Sequence, residues 1–257
     1  MLADIPFEEW QDAIERCASD LLWEAGIDEP PVDAFLAADR LGLIVADDGA
    51  PDGQHGWGDG VHRARLVRLA DDSACGGVAV IALSPEARPE RRHFAVAHEI
   101  GEAFAWRVFG QLALESYAVR PDARERVANE LAGCLLAPRR WLAGDSELLD
   151  DDLADLKRRY ATASWELLAR RTLLVARAPV VVTVFDHGRV TWRRSSLPGL
   201  RPPLSEIESD SQQRTHRLSE PSQWSKGGGP LARVRCWPVH EPGWRREVMR
   251  TELWGDE

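Results

Sequence analysis

The chain has 257 residues, of which 44% are hydrophobic and 11 are tryptophan, and a formal net charge of −10. That is apolar material for two or three packed domains, in a chain too acidic to bind nucleic acid through its overall field. Its four cysteines (Cys17, Cys75, Cys134, Cys236) form no Cys-x-x-Cys pair, which argues against a disulfide framework or a cysteine-rich zinc site and for a reducing compartment.

The N-terminus is acidic. No apolar run approaches the ~18–20 residues that would span a membrane, so the expectation is a cytoplasmic protein without a membrane partner. Residues 7–25 carry Phe7, Trp10, Ile14, Cys17 and Leu21 on one helical stripe, which Gly26 ends. Pro30 and Pro31 break the chain, 32–41 read as a second short helix and 43–46 as a strand. A Gly/Asp-rich loop with Trp57 inside it covers 47–60. Residues 61–69 and 76–83 read as a hairpin around an Asp-rich turn. Its second strand (Gly76, Val78, Val80) is the candidate edge for an added substrate strand. Cys75, which opens that strand, is either a small buried hydrophobe or a thiol able to reach a nearby metal.

Residues 92–104 follow, with Phe94, Ala97, Gly101 and Phe104 at helical spacing. His98 and Glu102 are four apart and share a face, and Glu99 stands beside the first. This is the layout of the His-Glu-x-x-His zinc helix, in which the glutamate is the general base, with Glu102 in place of the second histidine. His-Glu-x-x-(His/Asp/Glu) arises by chance in on the order of one such chain in ten, so a third ligand is required. Residues 121–138 supply it on a helix that Pro121 starts and Pro138 stops. Glu125 shares a face with Ala128 and Ala132, small residues that let this helix approach another closely. Glu130, on a different face, is the fallback.

Arg92, Phe94, Ala97, His98 and Glu99, followed by Glu125, Ala128, Asn129, Ala132, Leu135, Leu136 and Pro138, resemble the ImmA/IrrE family of metallopeptidases, with Leu131 where the family has phenylalanine. The segment from Gly26 to Val45 is similar to the family as well. The resemblance implies a zincin-like α+β peptidase domain. In it His98, Glu102 and Glu125 hold a Zn2+ ion, and Glu99 is the catalytic base. The implied substrate is a helix-turn-helix transcriptional repressor, cut to relieve repression in a stress or phage-defence response. Two carboxylates make a less positive site than two histidines would, and shift preference towards harder ions such as Mn2+. Two readings follow: a metallopeptidase, or a pseudopeptidase that acts as a regulatory protein-binding module.

Beyond Pro138, 153–173 read as two short helices, similar to a helix-turn-helix-like segment of the family. Trp165 and Glu166 at the start of the second helix suit packing better than DNA reading. Residues 180–185 and 189–194 form a second hairpin, 195–230 a long loop or crossover, and 231–239 and 248–254 further strands. The resemblance makes this end a small GAF-like α+β sensor domain. Trp192, Trp224, Trp237, Trp244 and Trp254 either line a ligand pocket in it or fill its core and rim. The expected division is a peptidase-like domain at 1–144, a helical segment at 145–177 and the sensor domain at 178–257.

Overall fold

The computed structural model describes residues 5–47, 64–69, 78–115, 119–200, 202–225 and 231–254. The Trp57 loop, Cys75 and Gly76 lie outside them. The fold is α+β, in two compact units: Met1–Trp141 with Tyr160–Ala163, and Leu142–Arg159 with Ser164–Glu257. The helical segment expected to stand alone thus falls almost wholly within the second unit. No helix among the described residues is long and apolar enough to cross a membrane.

The first unit begins with α1 (Phe7–Glu24), which buries Trp10, Ile14, Cys17 and Leu21. Phe7 was expected on this stripe but is 61% exposed, in the unpacked first turn. Gly26, at φ +60°, ends the helix, and Arg40 donates to the carbonyls of Ala25 (2.7 Å) and Gly26 (3.0 Å). α2 (Ala34–Arg40) is capped by Asp33, which accepts from the N–H groups of Phe35 and Leu36. Three strands follow, β1 (Ile44–Asp47), β2 (Ala64–Leu69) and β3 (Val78–Leu83), in the order β1-β3-β2. β3 runs parallel to β1 and antiparallel to β2. Val78 and Val80 therefore belong to the middle strand of this sheet and not to an edge as expected; among the described residues β1 and β2 are its outer strands.

Two long helices complete the unit, α3 (Pro89–Gln111) and α4 (Pro121–Leu136), each with proline in its first turn. Val96, Ile100 and Val108 of α3 and Val127, Leu131 and Leu136 of α4 are fully buried. α1 is tied to both: Trp10 Nε1 donates to Glu130 (2.6 Å), and Arg107 pairs with Glu24 at 2.5 and 3.0 Å.

The second unit contains α5 (Arg139–Leu148, which begins in the first unit), α6 (Leu153–Arg159) and α7 (Trp165–Thr172) ahead of a five-stranded sheet. The strands are β4 (Val180–Asp186), β5 (Arg189–Ser195), β6 (Ser222–Ser225), β7 (Leu231–Glu241) and β8 (Trp244–Leu253). Their order is β5-β4-β8-β7-β6, antiparallel throughout. The region expected as a loop holds both β6 and a helix, α8 (Glu206–Leu218). Ser205 and Glu208 form a reciprocal capping box at the start of α8. Glu208 is 1% exposed and also accepts from Arg193 (3.0 and 3.1 Å) and Thr251 (2.6 Å), which fastens the helix to the sheet. Phe185, Val234, Cys236 and Met249 pack as the core, with Ile207 and Trp224 against them. Of the five tryptophans Trp237 is buried, Trp254 is 55% exposed, and Trp192 and Trp244 pack against Arg170 and His187.

At the far end of this sheet Arg246 donates two hydrogen bonds to Asp186 (2.7 and 2.9 Å) and a third to Glu166 of α7 (2.6 Å). The start of α7 is thus engaged by the sheet. These bonds hold the Asp186 carboxyl below the usual carboxylate range. A folded value below the unfolded one stabilises above the ordinary carboxylate range, and that contribution is lost as pH falls through the folded value. Asp186→Asn should therefore weaken the fold at neutral pH and flatten the loss of stability below about pH 4, measured by urea denaturation across pH.

Candidate functional site

The site starts from a close crossing of α3 and α4. A Cβ added to Gly101 would lie 2.7 Å from the Ala128 carbonyl oxygen and 2.9 Å from its Cα, so no larger residue fits without moving a helix. Ala128 and Ala132 keep the facing side of α4 equally thin, and both are fully buried. His98 and Glu102 flank Gly101 on α3, and Glu125 and Asn129 flank Ala128 on α4. One donor atom from each of His98, Glu102 and Glu125 lies within 4.8 Å of the other two. Small rotations of the carboxylates would bring all three to bond lengths of about 2.0–2.2 Å from one ion.

The donor chemistry fits a cation. The Asn129 side-chain N–H2 group donates to the Glu125 carbonyl (3.0 Å) and to Glu125 Oε1 (2.8 Å), which fixes which way the amide faces. Its oxygen is left 3.2 Å from His98 Nδ1, so that nitrogen carries the proton. In the neutral ring the lone pair is then on Nε2, 3.6 Å from Glu125 Oε2. A lone pair facing a carboxylate is repulsive until a positive charge stands between them. Asn129 thus orients two of the donors at once. The sequence reading had Asn129 only as a matching residue; the signal for its role was its place one turn after Glu125, on the same face.

Glu99 is 6% exposed, next to these donors. Burial pushes its carboxyl up, and the charges of Glu102 and Glu125 push the same way, while His98 and a hydrogen bond from the Leu66 backbone N–H pull it back. Leu66 lies on β2 and turns that N–H away from β3. Ala64, Arg65 and Leu66 of β2, His98, Glu99 and Glu102 of α3, and Arg124 and Glu125 of α4 enclose a cleft of about 410 Å³. The outer edge of β2 and the buried carboxyl therefore face the same space. Glu130, the fallback donor, is occupied elsewhere: it accepts from Trp10, Gln11 (3.1 Å) and Arg126 (2.8 Å) on the α1 side of α4. Cys17 and Cys236 are buried thiols, each pushed up to about 12 by burial.

An imidazole and two carboxylates thus converge from two helices, beside a buried glutamate and β2, the outer strand on that side among the described residues. Residues 59–172 match the family model of the IrrE N-terminal-like domain of the M78 peptidases, so the chain carries such a domain. Among solved structures, a Mycobacterium tuberculosis transcriptional regulator aligns at a TM-score of 0.62 and 19% identity, covering 96% of this chain and 81% of that one. At that identity the likeness is one of fold. No curated protein matches the chain.

Gly101→Ala should destabilise the protein by about 1–3 kcal/mol, the cost of overpacking, and should weaken metal binding in the same sample, read by denaturation and by titration. Asn129→Ala, at an exposed position, should leave the unfolding midpoint nearly unchanged. It should lower metal affinity roughly 10–100-fold through loss of donor orientation, measured by competition with a chelating dye.

Proposed function

We propose that this protein is a metal-dependent endopeptidase acting in the cytoplasm on a helix-turn-helix transcriptional repressor, cut to relieve repression in a stress or defence response. The observation that carries the chemistry is the buried carboxyl of Glu99, held against β2, an outer strand among the described residues, and next to three convergent donors. The family resemblance supplies the target class. The isolated cysteines support a reducing compartment.

His98, Glu102 and Glu125 would hold the ion, oriented by Asn129. A bound divalent cation supplies Lewis acidity, polarising the scissile carbonyl and making a water more acidic. The substrate backbone would lie along β2 as an added strand, placing a peptide bond over the cleft. Glu99 would take the proton of the attacking water and pass it to the leaving amine. Its raised basicity suits the first transfer, and the Leu66 N–H keeps it aimed. With Glu102 in place of a second imidazole, the site favours an ion at least as hard as Zn2+, Mn2+ among them.

The test is cleavage of candidate helix-turn-helix repressors from the same organism, with Zn2+ and Mn2+ supplied separately. Glu99→Gln should reduce the rate by roughly 10²–10⁴-fold without lowering metal content, and Glu102→His should raise both Zn2+ affinity and the rate with Zn2+. Cleavage undiminished in Glu99→Gln would contradict its role. Tight repressor binding with no cleavage under either ion would favour the regulatory binding module, the reading that Glu102 supports.

A further inference from the structure

The second unit contains another convergence of donors, with no part in the chemistry above. Glu247 on β8 is fully buried. Its Oε1 lies 2.8 Å from His216 Nδ1 and 2.6 Å from His240 Nε2. His216 comes from α8 and His240 from β7. The register pairs His240 with Arg245 and Pro238 with Glu247, so His240 and Glu247 are diagonal neighbours on one face of the sheet. α8 packs over that face and brings His216 down onto it. We propose that His216, His240 and Glu247 form a second divalent metal site, for a zinc-class transition ion, with its fourth position open to solvent.

Three features support the assignment. The donors are two imidazoles and one carboxylate, a set suited to borderline ions such as Zn2+. Two of the three have an outer partner that aims them, as metal ligands usually do. Gln212 donates to the other Glu247 oxygen (3.0 Å), and Ser219 Oγ lies 3.0 Å from the other nitrogen of His240. Finally, among the described residues this buried carboxylate is met by two imidazoles and an amide, with no guanidinium or ammonium group. One atom from each of the three side chains lies within 4.8 Å of the other two, and a metal ion would take the place of the two histidine–carboxylate contacts by moving each donor outwards by about 0.5 Å, given Zn–N and Zn–O bonds of about 2.0–2.2 Å. The His216 side chain is 30% exposed and gives an ion a way in.

The site is independent of the peptidase reading, and the test keeps them apart. The full chain carrying His98→Ala and Glu125→Ala is titrated with Zn2+ alone, and with Co2+ to read the visible absorption of a low-coordinate site. One equivalent of each ion should bind. Adding His216→Ala or His240→Ala should abolish that equivalent, with the far-ultraviolet circular dichroism unchanged. Gln212→Leu should weaken Zn2+ affinity roughly 10-fold or more. Absence of binding in the parent double variant, or binding indifferent to both histidines, would overturn the proposal: the cluster would then be a hydrogen-bonded support for α8.

Discussion

The approach of two helix backbones at Gly101 and Ala128 is the constraint on which the candidate site depends. Side chains beside a contact this tight have little room to diverge, so packing brings a histidine and two carboxylates near one point, where Asn129 aims two of them. Like-charged carboxylates resist that approach. The opposing force is the apolar face that the same helices bury, with Val96, Ile100, Val127 and Leu131 at its centre. α1 adds a brace from outside by engaging Glu130 on α4 and Arg107 on α3.

Much of the first unit could be read from the chain. The helix bounds of α4 follow from Pro121 and Pro138, and the common face of Glu125, Ala128 and Ala132 is a matter of helical spacing. The choice of edge strand could not be read this way. A hairpin pattern says which strands pair, but the parallel addition of β1 to β3 joins segments far apart in sequence, and that addition makes β3 central. Phe7 departs from expectation for a related reason: the apolar stripe continues into a first turn where Phe7 is left exposed. In the second unit α8 was missed although its capping box was visible as Ser205 followed by Glu208. The Ser, Pro and Gly content around it masked a short, highly polar helix whose stability comes from its anchor to the sheet.

Three nearly buried carboxylates show how partner chemistry separates roles. Glu208 faces a guanidinium, Arg193, and a hydroxyl, Thr251, and its part is to fasten a helix. Glu99 has a backbone N–H and sits at the floor of an open cleft. Glu247 is met by two imidazoles and an amide. A carboxylate with a permanent cation is satisfied within the fold. Among the described residues the other two are met by other groups, and each stands among side chains able to bind or move positive charge.

The most direct measurement is an anomalous difference map from crystals of the protein grown with Mn2+ and with Zn2+, collected at each metal's absorption edge. At the candidate site the account predicts a peak bounded by His98 Nε2 and the carboxylates of Glu102 and Glu125, with Asn129 still bridging His98 and Glu125. A map without a peak at that point, or an ion there that leaves Glu125 uncoordinated, would contradict it.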